Sequence, residues 1–184
     1  MKKTTIESED LYPHPSSLDE DIYSSLCDLN VRPPHFKGKT IIVSSSYHKE
    51  ITGSMAYSFI KHSYDHPRIL MSHTENIGFI EAPGAFEVPL TAKLIIEKFK
   101  PKQILALGCI LKGDTNHDEY LSSTVINGLR NLSLEYVIPV INGILTTNTI
   151  QQAIDRAGKK YDKGRDFAYS SILMHKIINK INNE

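Results

Sequence analysis

The chain has no tryptophan, only two cysteines and no net charge, 21 Lys and Arg balancing 21 Asp and Glu over 184 residues. Each shortage excludes something. Cys27 and Cys109 stand far apart and in no metal-ligand or redox spacing, so a disulfide framework is excluded as an organising device and the usage fits a reduced, cytosolic protein. Balanced charge supplies no global attraction to nucleic acid or to an anionic membrane, so any anion site has to be local. No stretch approaches the roughly 18 to 20 apolar residues that span a bilayer. The start, Met1-Lys2-Lys3-Thr4-Thr5, runs into Glu7, Glu9 and Asp10 rather than the apolar core of a secretory signal. A soluble, cytoplasmic protein with neither a nucleic-acid nor a membrane partner is expected. Also missing are the Gly-x-Gly-x-x-Gly dinucleotide fingerprint, a Walker loop, a paired-Cys zinc spacing and a serine in a nucleophile elbow. Several common enzyme classes drop out, and no metal site is expected.

What is present is a 40% hydrophobic chain of a length suited to one domain with a substantial core. Residues 1–37 are rich in Ser, Asp, Glu and Pro and close on Arg32-Pro33-Pro34-His35. Such a composition does not bury enough apolar surface to order itself alone. Ile22-Tyr23 and Leu26 suit a short helical turn that the Pro-Pro pair stops from continuing. A polar extension, 1–37, is therefore expected ahead of a domain over 38–184.

From Lys39 short apolar runs alternate with helix-period segments, the signature of β-α units building a parallel sheet. Four buried strands are expected at Ile41-Ile42-Val43, Arg68-Ile69-Leu70-Met71, Ile104-Leu105-Ala106-Leu107 and Val137-Ile138-Pro139-Val140-Ile141. Between them Met55, Phe59 and Ile60 share one helical face, as do Leu90, Leu94 and Ile95, then Leu121, Val125, Leu129 and Leu132, and these faces are read as core. Asn148 with Gln151 reads as the cap of a helix striped by Ile150, Ala153, Ile154 and Ala157 and closed by Gly158. A last helix is expected over 164–181. In such sheets ligands sit at the carboxyl ends of the strands, and the unusual residues lie in those loops.

After the third strand comes Gly108-Cys109-Ile110-Leu111-Lys112-Gly113-Asp114-Thr115-Asn116-His117 and then a helix. Gly113, Asp114 and Thr115 offer free backbone N–H groups, a hydroxyl and a positive helix end to an anion. The plain alternative is that Asp114 or Thr115 only caps the helix. His117 lies just past that turn, and an imidazole titrating near pH 6.5 suits proton transfer. Seven other histidines occur in the chain, so its position and not its identity singles it out. Pro83-Gly84-Ala85-Phe86-Glu87-Val88-Pro89 puts Glu87 near a helix start, where a carboxylate is stabilised. It reads either as that helix-end group or as a partner for a polyol or heterocycle. Ser44-Ser45-Ser46-Tyr47-His48 sets an aromatic ring at the sheet's edge, for stacking on a flat ligand or for ordinary packing. Arg156 and Lys163 are basic residues near a helix junction and matter only beside a phosphate.

Together with Gly143-Ile144-Leu145-Thr146-Thr147 and Gln152-Ala153-Ile154-Asp155-Arg156-Ala157-Gly158, these segments resemble the lumazine synthase family over residues 39 to about 178. Four motifs recur in the family's order. The resemblance implies a flavodoxin-like three-layer α/β sandwich with a four-stranded, mainly parallel sheet, and a segment near the domain start suited to pairing with a neighbour. The activity implied is a transferase of riboflavin biosynthesis: condensation of 5-amino-6-(D-ribitylamino)uracil with 3,4-dihydroxy-2-butanone 4-phosphate to 6,7-dimethyl-8-ribityllumazine, phosphate and water, without metal or organic cofactor. By matching positions His117 transfers protons. Gly113, Asp114 and Thr115 hold the butanone phosphate with Arg156, assisted by Lys163. Tyr47, Ala85, Phe86, Glu87 and the backbone of Cys109, Ile110 and Leu111 receive the ribitylaminouracil, with Asn142 closing the pocket from a neighbouring subunit.

The family forms homopentamers with active sites between subunits, and in some members twelve pentamers pack into a hollow shell; the sequence leaves that choice open. Departures are Tyr47, where the family carries Phe or Trp, His48 in place of its usual Asn, Asn142 where many members have an aromatic, and a Gly158–Lys163 stretch shorter than usual. Two rival readings are a paralogue that holds a flavin or lumazine without turning it over and a shell protein with vestigial catalysis. Retention of His117, Arg156 and the Gly-Asp-Thr turn argues against the first.

Overall fold

The computed structural model describes residues 9–14, 37–64 and 77–183. Among them four strands alternate with helices: β1 (Thr40–Ser45), α1 (Lys49–Tyr64), β2 (Ile77–Ala82), a 3₁₀ turn (Ala85–Glu87), α2 (Val88–Phe99), β3 (Gln103–Leu111), α3 (His117–Tyr136), β4 (Val140–Thr147), α4 (Ile150–Ala157) and α5 (Lys163–Asn182). All four strands are parallel, in the order β2-β1-β3-β4. The parallel sheet expected from the alternating pattern, and the three-layer α/β sandwich that the resemblance implies, are the fold observed.

The side-chain alternation of a strand explains the layers. In β1 and β3, Ile41, Val43, Ile104, Ala106 and Ile110 point to one face, where Val88, Ala92, Ile95 and Ile96 of α2 and Val125, Leu129 and Leu132 of α3 cover them. Ile42, Leu105, Leu107 and Cys109 point to the other, against Ile51, Met55, Phe59 and Ile60 of α1, Ala153, Ile154 and Ala157 of α4 and Ala168 of α5. Strands buried on both faces read as the unbroken apolar runs seen in the sequence. Full burial of each Ile, Leu or Phe here contributes roughly 1.5–3 kcal/mol.

Four sequence expectations need correction. The second strand of the sheet is Ile77–Ala82, whereas the run Arg68–Met71 lies outside the described residues. As an edge strand, β2 carries Gly78 and the exposed Glu81, which interrupt its apolar run. The fourth strand starts later and runs further, over Val140–Thr147, because Val137 ends α3 in the left-handed conformation at φ 53°. Leu90 and Leu94 are not core but 61% and 58% exposed on the outer side of α2. Ile150 is likewise partly exposed. Finally, the cap of α4 is shifted by one residue: Thr149 accepts from Gln152 N–H, while Gln152 Oε1 accepts from Asn148 N–H at 3.0 Å. The last helix, expected over 164–181, agrees to within a residue at each end.

Residues 9–14, from the expected polar extension, lie against the domain. Leu11 packs on the α1, α4 and α5 side of the core, and Tyr12 stacks on Tyr57 at 5.7 Å between ring centroids. No helix among the described residues is long and apolar enough to cross a membrane.

Candidate active site

The crevice follows from topology. After β1 the chain adds β2 on one side, then crosses to lay β3 on the other, so the loops leaving β1 and β3 diverge at their carboxyl ends. The register makes the opening concrete. The β1–β3 ladder ends at the Ser44–Leu107 pair, whereas β3 continues alongside β4 to Leu111 and Thr147. Residues Gly108–Leu111 therefore run past the end of that ladder, with their backbone edge on the β1 side left unladdered. Gly108 keeps this edge close to the loop after β2, since a Cβ there would sit 3.3 Å from Ala85 Cβ and 2.9 Å from Ile144 Cδ1.

Three loops surround the crevice. The loop after β1 is tied to the end of β2 by Ser46 N–H donating to Ala82 O at 2.8 Å. It turns at His48, whose φ of 57° lies in the left-handed region, where His, Asn and Asp are the better tolerated side chains. This gives a backbone reason for a His at that position. His48 O then accepts from Ile51 and Thr52 N–H to start α1. Its half-buried ring meets Tyr47 edge-on at 4.6 Å, and burial lowers its pKa. Tyr47 remains 54% exposed and Phe86, after β2, 61%, so two aromatic faces stand open at this edge. Ala85, beside Gly108, is buried. Glu87 is the N-cap of α2 without a side-chain cap bond, and its carboxylate folds back over Gly84. That agrees with the expected helix-start placement and leaves the carboxylate oxygens for a ligand.

The third loop, Lys112–Asn116, is exposed and leads directly to His117, the first residue of α3. The helix is capped by neither Asp114 nor Thr115 in the usual way, because the N-cap residue is Asn116 and it makes no side-chain bond. Thr115 Oγ1 accepts weakly from His117 N–H at 3.4 Å, and Asp118 Oδ1 from Gly113 N–H at 3.3 Å. The latter partner was not anticipated. An acidic residue in the first helical turn is its only sequence signal, and it shows that a Gly113 amide is already oriented towards negative charge. A Cβ on Gly113 would meet nothing within 4 Å, so the space beside its Cα is open.

Cys109 and Ile110 are buried on opposite faces of β3. Burial pushes the Cys109 thiol up to about 12, which leaves it protonated and unsuited to nucleophilic attack. What this stretch can offer a ligand is its backbone. Thr147 Oγ1, at the end of β4, is buried with no hydrogen-bond partner among the described residues and was not singled out by sequence.

Three expected site residues are not drawn to this crevice by the chain itself. Asn142 lies in mid-β4 opposite Ala106, its Oδ1 accepting from Ile144 N–H. Arg156, in the last turn of α4, donates from Nη1 to Gln152 O of its own helix at 3.1 Å. Lys163, at the start of α5, pairs with Asp166 at 2.8 Å. The remaining expected residues fall on the loops and strand ends just described. Among the described residues no cluster of His, Cys, Asp and Glu is arranged to hold a metal ion.

A family model described as 6,7-dimethyl-8-ribityllumazine synthase matches residues 37–179, which takes in every strand of the sheet and all but the end of α5. On that match, and with a parallel sandwich whose crevice carries the motif residues, the chain belongs to the 6,7-dimethyl-8-ribityllumazine synthase family.

Proposed function

We propose that this protein condenses 5-amino-6-(D-ribitylamino)uracil with 3,4-dihydroxy-2-butanone 4-phosphate to give 6,7-dimethyl-8-ribityllumazine, phosphate and water. The observation that carries the reading is the overshoot of β3 beside an exposed, open Gly113–His117 turn. The free backbone edge of Cys109–Leu111 suits the hydrogen-bonding edge of a uracil, flanked by Tyr47, Ala85, Phe86 and Glu87. The turn suits a phosphate held by Gly113, Asp114 and Thr115, the Thr hydroxyl and backbone amides donating, with the phosphate replacing the Asp118 carboxylate on the Gly113 N–H. His117 then stands at the junction of the two substrates and moves protons as the amine adds to the ketone, phosphate leaves, and the ring closes with loss of water. Much of the acceleration is positioning of two reactants that already condense slowly.

Arg156, Lys163 and Asn142 serve the site of an adjacent subunit in a homopentamer. Two features favour this: their own contacts stay within α4, α5 and β4, and Leu90 and Leu94 leave an exposed apolar strip on α2. A cationic Arg156 from the neighbour stabilises the departing phosphate.

The test is a steady-state assay following lumazine absorbance against a blank without protein. His117→Ala is expected to lower kcat while particle size stays unchanged, and Arg156→Ala to raise chiefly the KM for the butanone phosphate. Unaltered kinetics in both variants would overturn the site assignment. A wild-type rate at the blank level with tight ribityl-ligand binding would favour a non-catalytic paralogue instead.

A further inference from the structure

Residues 9–14 are bound to one particular place. The N–H of Lys159 donates to Asp10 O at 2.8 Å and its Nζ donates to Glu9 O at 2.6 Å. Gly158 lies directly under the segment: a Cβ there would be 2.9 Å from the carbonyl carbon of Asp10 and closer still to its oxygen. Two residues further on, Tyr12 N–H donates to Ser54 Oγ at 2.9 Å, and the same hydroxyl donates to Ala157 O at 2.8 Å. Tyr12 OH donates to Asp162 Oδ2 at 3.1 Å. Asp162 is buried, caps α5 by accepting from Arg165 N–H, accepts from Ser58 Oγ, and holds a left-handed backbone at φ 45°. At the far end His14 packs over Gly53 and edge-on against Phe79.

The bonds of Glu9, Asp10 and the Tyr12 hydroxyl meet on one turn, Gly158–Asp162, and that of Tyr12 N–H reaches Ser54 beside it. That turn joins α4 to α5, with Lys163 directly after it and Arg156 two residues before it, in the last turn of α4. From the core side Ser58 of α1 holds Asp162 and Ser54 holds Ala157 just before the turn; from the outside the turn is held by Glu9, Asp10 and Tyr12. A left-handed, non-glycine residue such as Asp162 persists only where its surroundings over-determine it, and Tyr12 is one of those surroundings.

We propose that residues 9–14 are a strap that positions the Gly158–Asp162 turn, and through it Arg156 and Lys163, for binding a phosphate ester. The role rests on the phosphate site assigned above. Tyr12 is a positioning residue that touches no substrate, and its effect passes through Asp162 and the backbone of the turn. The strap and the basic residues belong to one chain, so each subunit of an oligomer sets the geometry of the cation it lends to its neighbour.

The experiment compares the full chain, a Tyr12→Phe variant and a chain lacking residues 1–14. Three readouts are taken: hydrogen exchange at the Lys159 amide, inorganic phosphate affinity by calorimetry, and KM for each substrate with kcat. Removal of residues 1–14 is expected to speed exchange at Lys159, whose acceptor is lost. The KM for the butanone phosphate and the Kd for inorganic phosphate should each rise about three- to tenfold, the equivalent of one or two hydrogen bonds. The KM for the ribitylaminouracil should stay within about twofold. Tyr12→Phe, which keeps the fold and the strap's backbone bonds, should move the same two constants by a smaller factor. Faster exchange with unchanged phosphate constants would reduce the segment to packing and overturn the proposal. So would a uniform fall in kcat with both KM values unchanged, the mark of lost active protein. If the wild-type chain gives no condensation above the blank yet its phosphate affinity still falls with the strap, the proposed reaction fails and the strap stands.

Discussion

Gly164→Ala puts a close contact between α5 and α1 under test. Gly164 is buried in the first turn of α5, against α1. A Cβ built on it would lie 2.6 Å from Ser58 Cβ and 2.9 Å from Phe59 N, with Met55 O nearer still. Two of those three atoms are backbone of α1, so no rotamer change relieves the clash and the helices have to separate. Overpacking of this kind costs about 1–3 kcal/mol, and with backbone on the receiving side the upper end applies, about 3 kcal/mol. Alanine returns up to about 1 kcal/mol in helix propensity. The net loss is about 2 kcal/mol, and for a chain of this size about 2–4 °C of Tm accompanies each kcal/mol, a fall of about 4–8 °C. The assay is thermal unfolding followed by far-UV circular dichroism at one fixed protein concentration, because association would otherwise shift Tm. An unchanged or raised Tm would refute the reasoning, since it would mean that α1 gives way without cost.

Gly113→Ala should behave in the opposite way: with nothing within 4 Å of the new methyl, Tm is expected to hold or rise slightly, while the KM for the butanone phosphate increases. Both measured on the same preparation separate a ligand clash from a folding defect. His175 bears on pH: burial first, and Lys102 second, lower its pKa to about 4. Its folded value lies below the ordinary 6.5, so the unfolded chain binds the proton more readily and stability is expected to fall as pH drops from about 6.5 towards 4. Urea midpoints across that window should slope less in His175→Gln, and an identical slope would show that other groups carry the effect. Cys109, buried with its thiol raised to about 12, should resist iodoacetamide at pH 8 until the chain is denatured. Peptide mass mapping that finds native Cys109 alkylated would contradict its placement in β3.

The sequence carried the three-layer order because parallel strands buried on both faces are continuous apolar runs, as at Ile41–Val43 and Ile104–Leu107. It failed at one edge strand, β2. Ile77–Ala82 mixes Gly78 and Glu81 into its run, and the more uniform Arg68–Met71 drew the assignment instead. Leu90 and Leu94 have the spacing of a core face, and helical period alone does not say whether an apolar stripe meets the sheet or faces outward. For the site, the residues local to one loop were legible as motifs, from Gly113 to His117 and from Pro83 to Pro89. The contacts of Tyr12 with Ser54 and Asp162 were not, because they join residues 42 and 150 positions apart through hydrogen bonds that leave no periodic trace. The αL backbone of His48 was invisible for a similar reason: a side chain that tolerates φ above zero does not announce that it adopts it.

The strand order has a further consequence at the moment of synthesis. β1 leaves the ribosome first, yet its two neighbours are β2, beginning at Ile77, and β3, beginning at Gln103. Until residue 111 has emerged, the strand that ends up at the centre of the sheet has at most one companion, and Ile41, Ile42 and Val43 lack the cover they finally receive. Long-range parallel pairing of this sort is slow and leaves unpaired strand edges available to other nascent chains. Gly108–Leu111, which borders the candidate crevice, pairs only with β4, made later still, so the crevice and the completed sheet appear together.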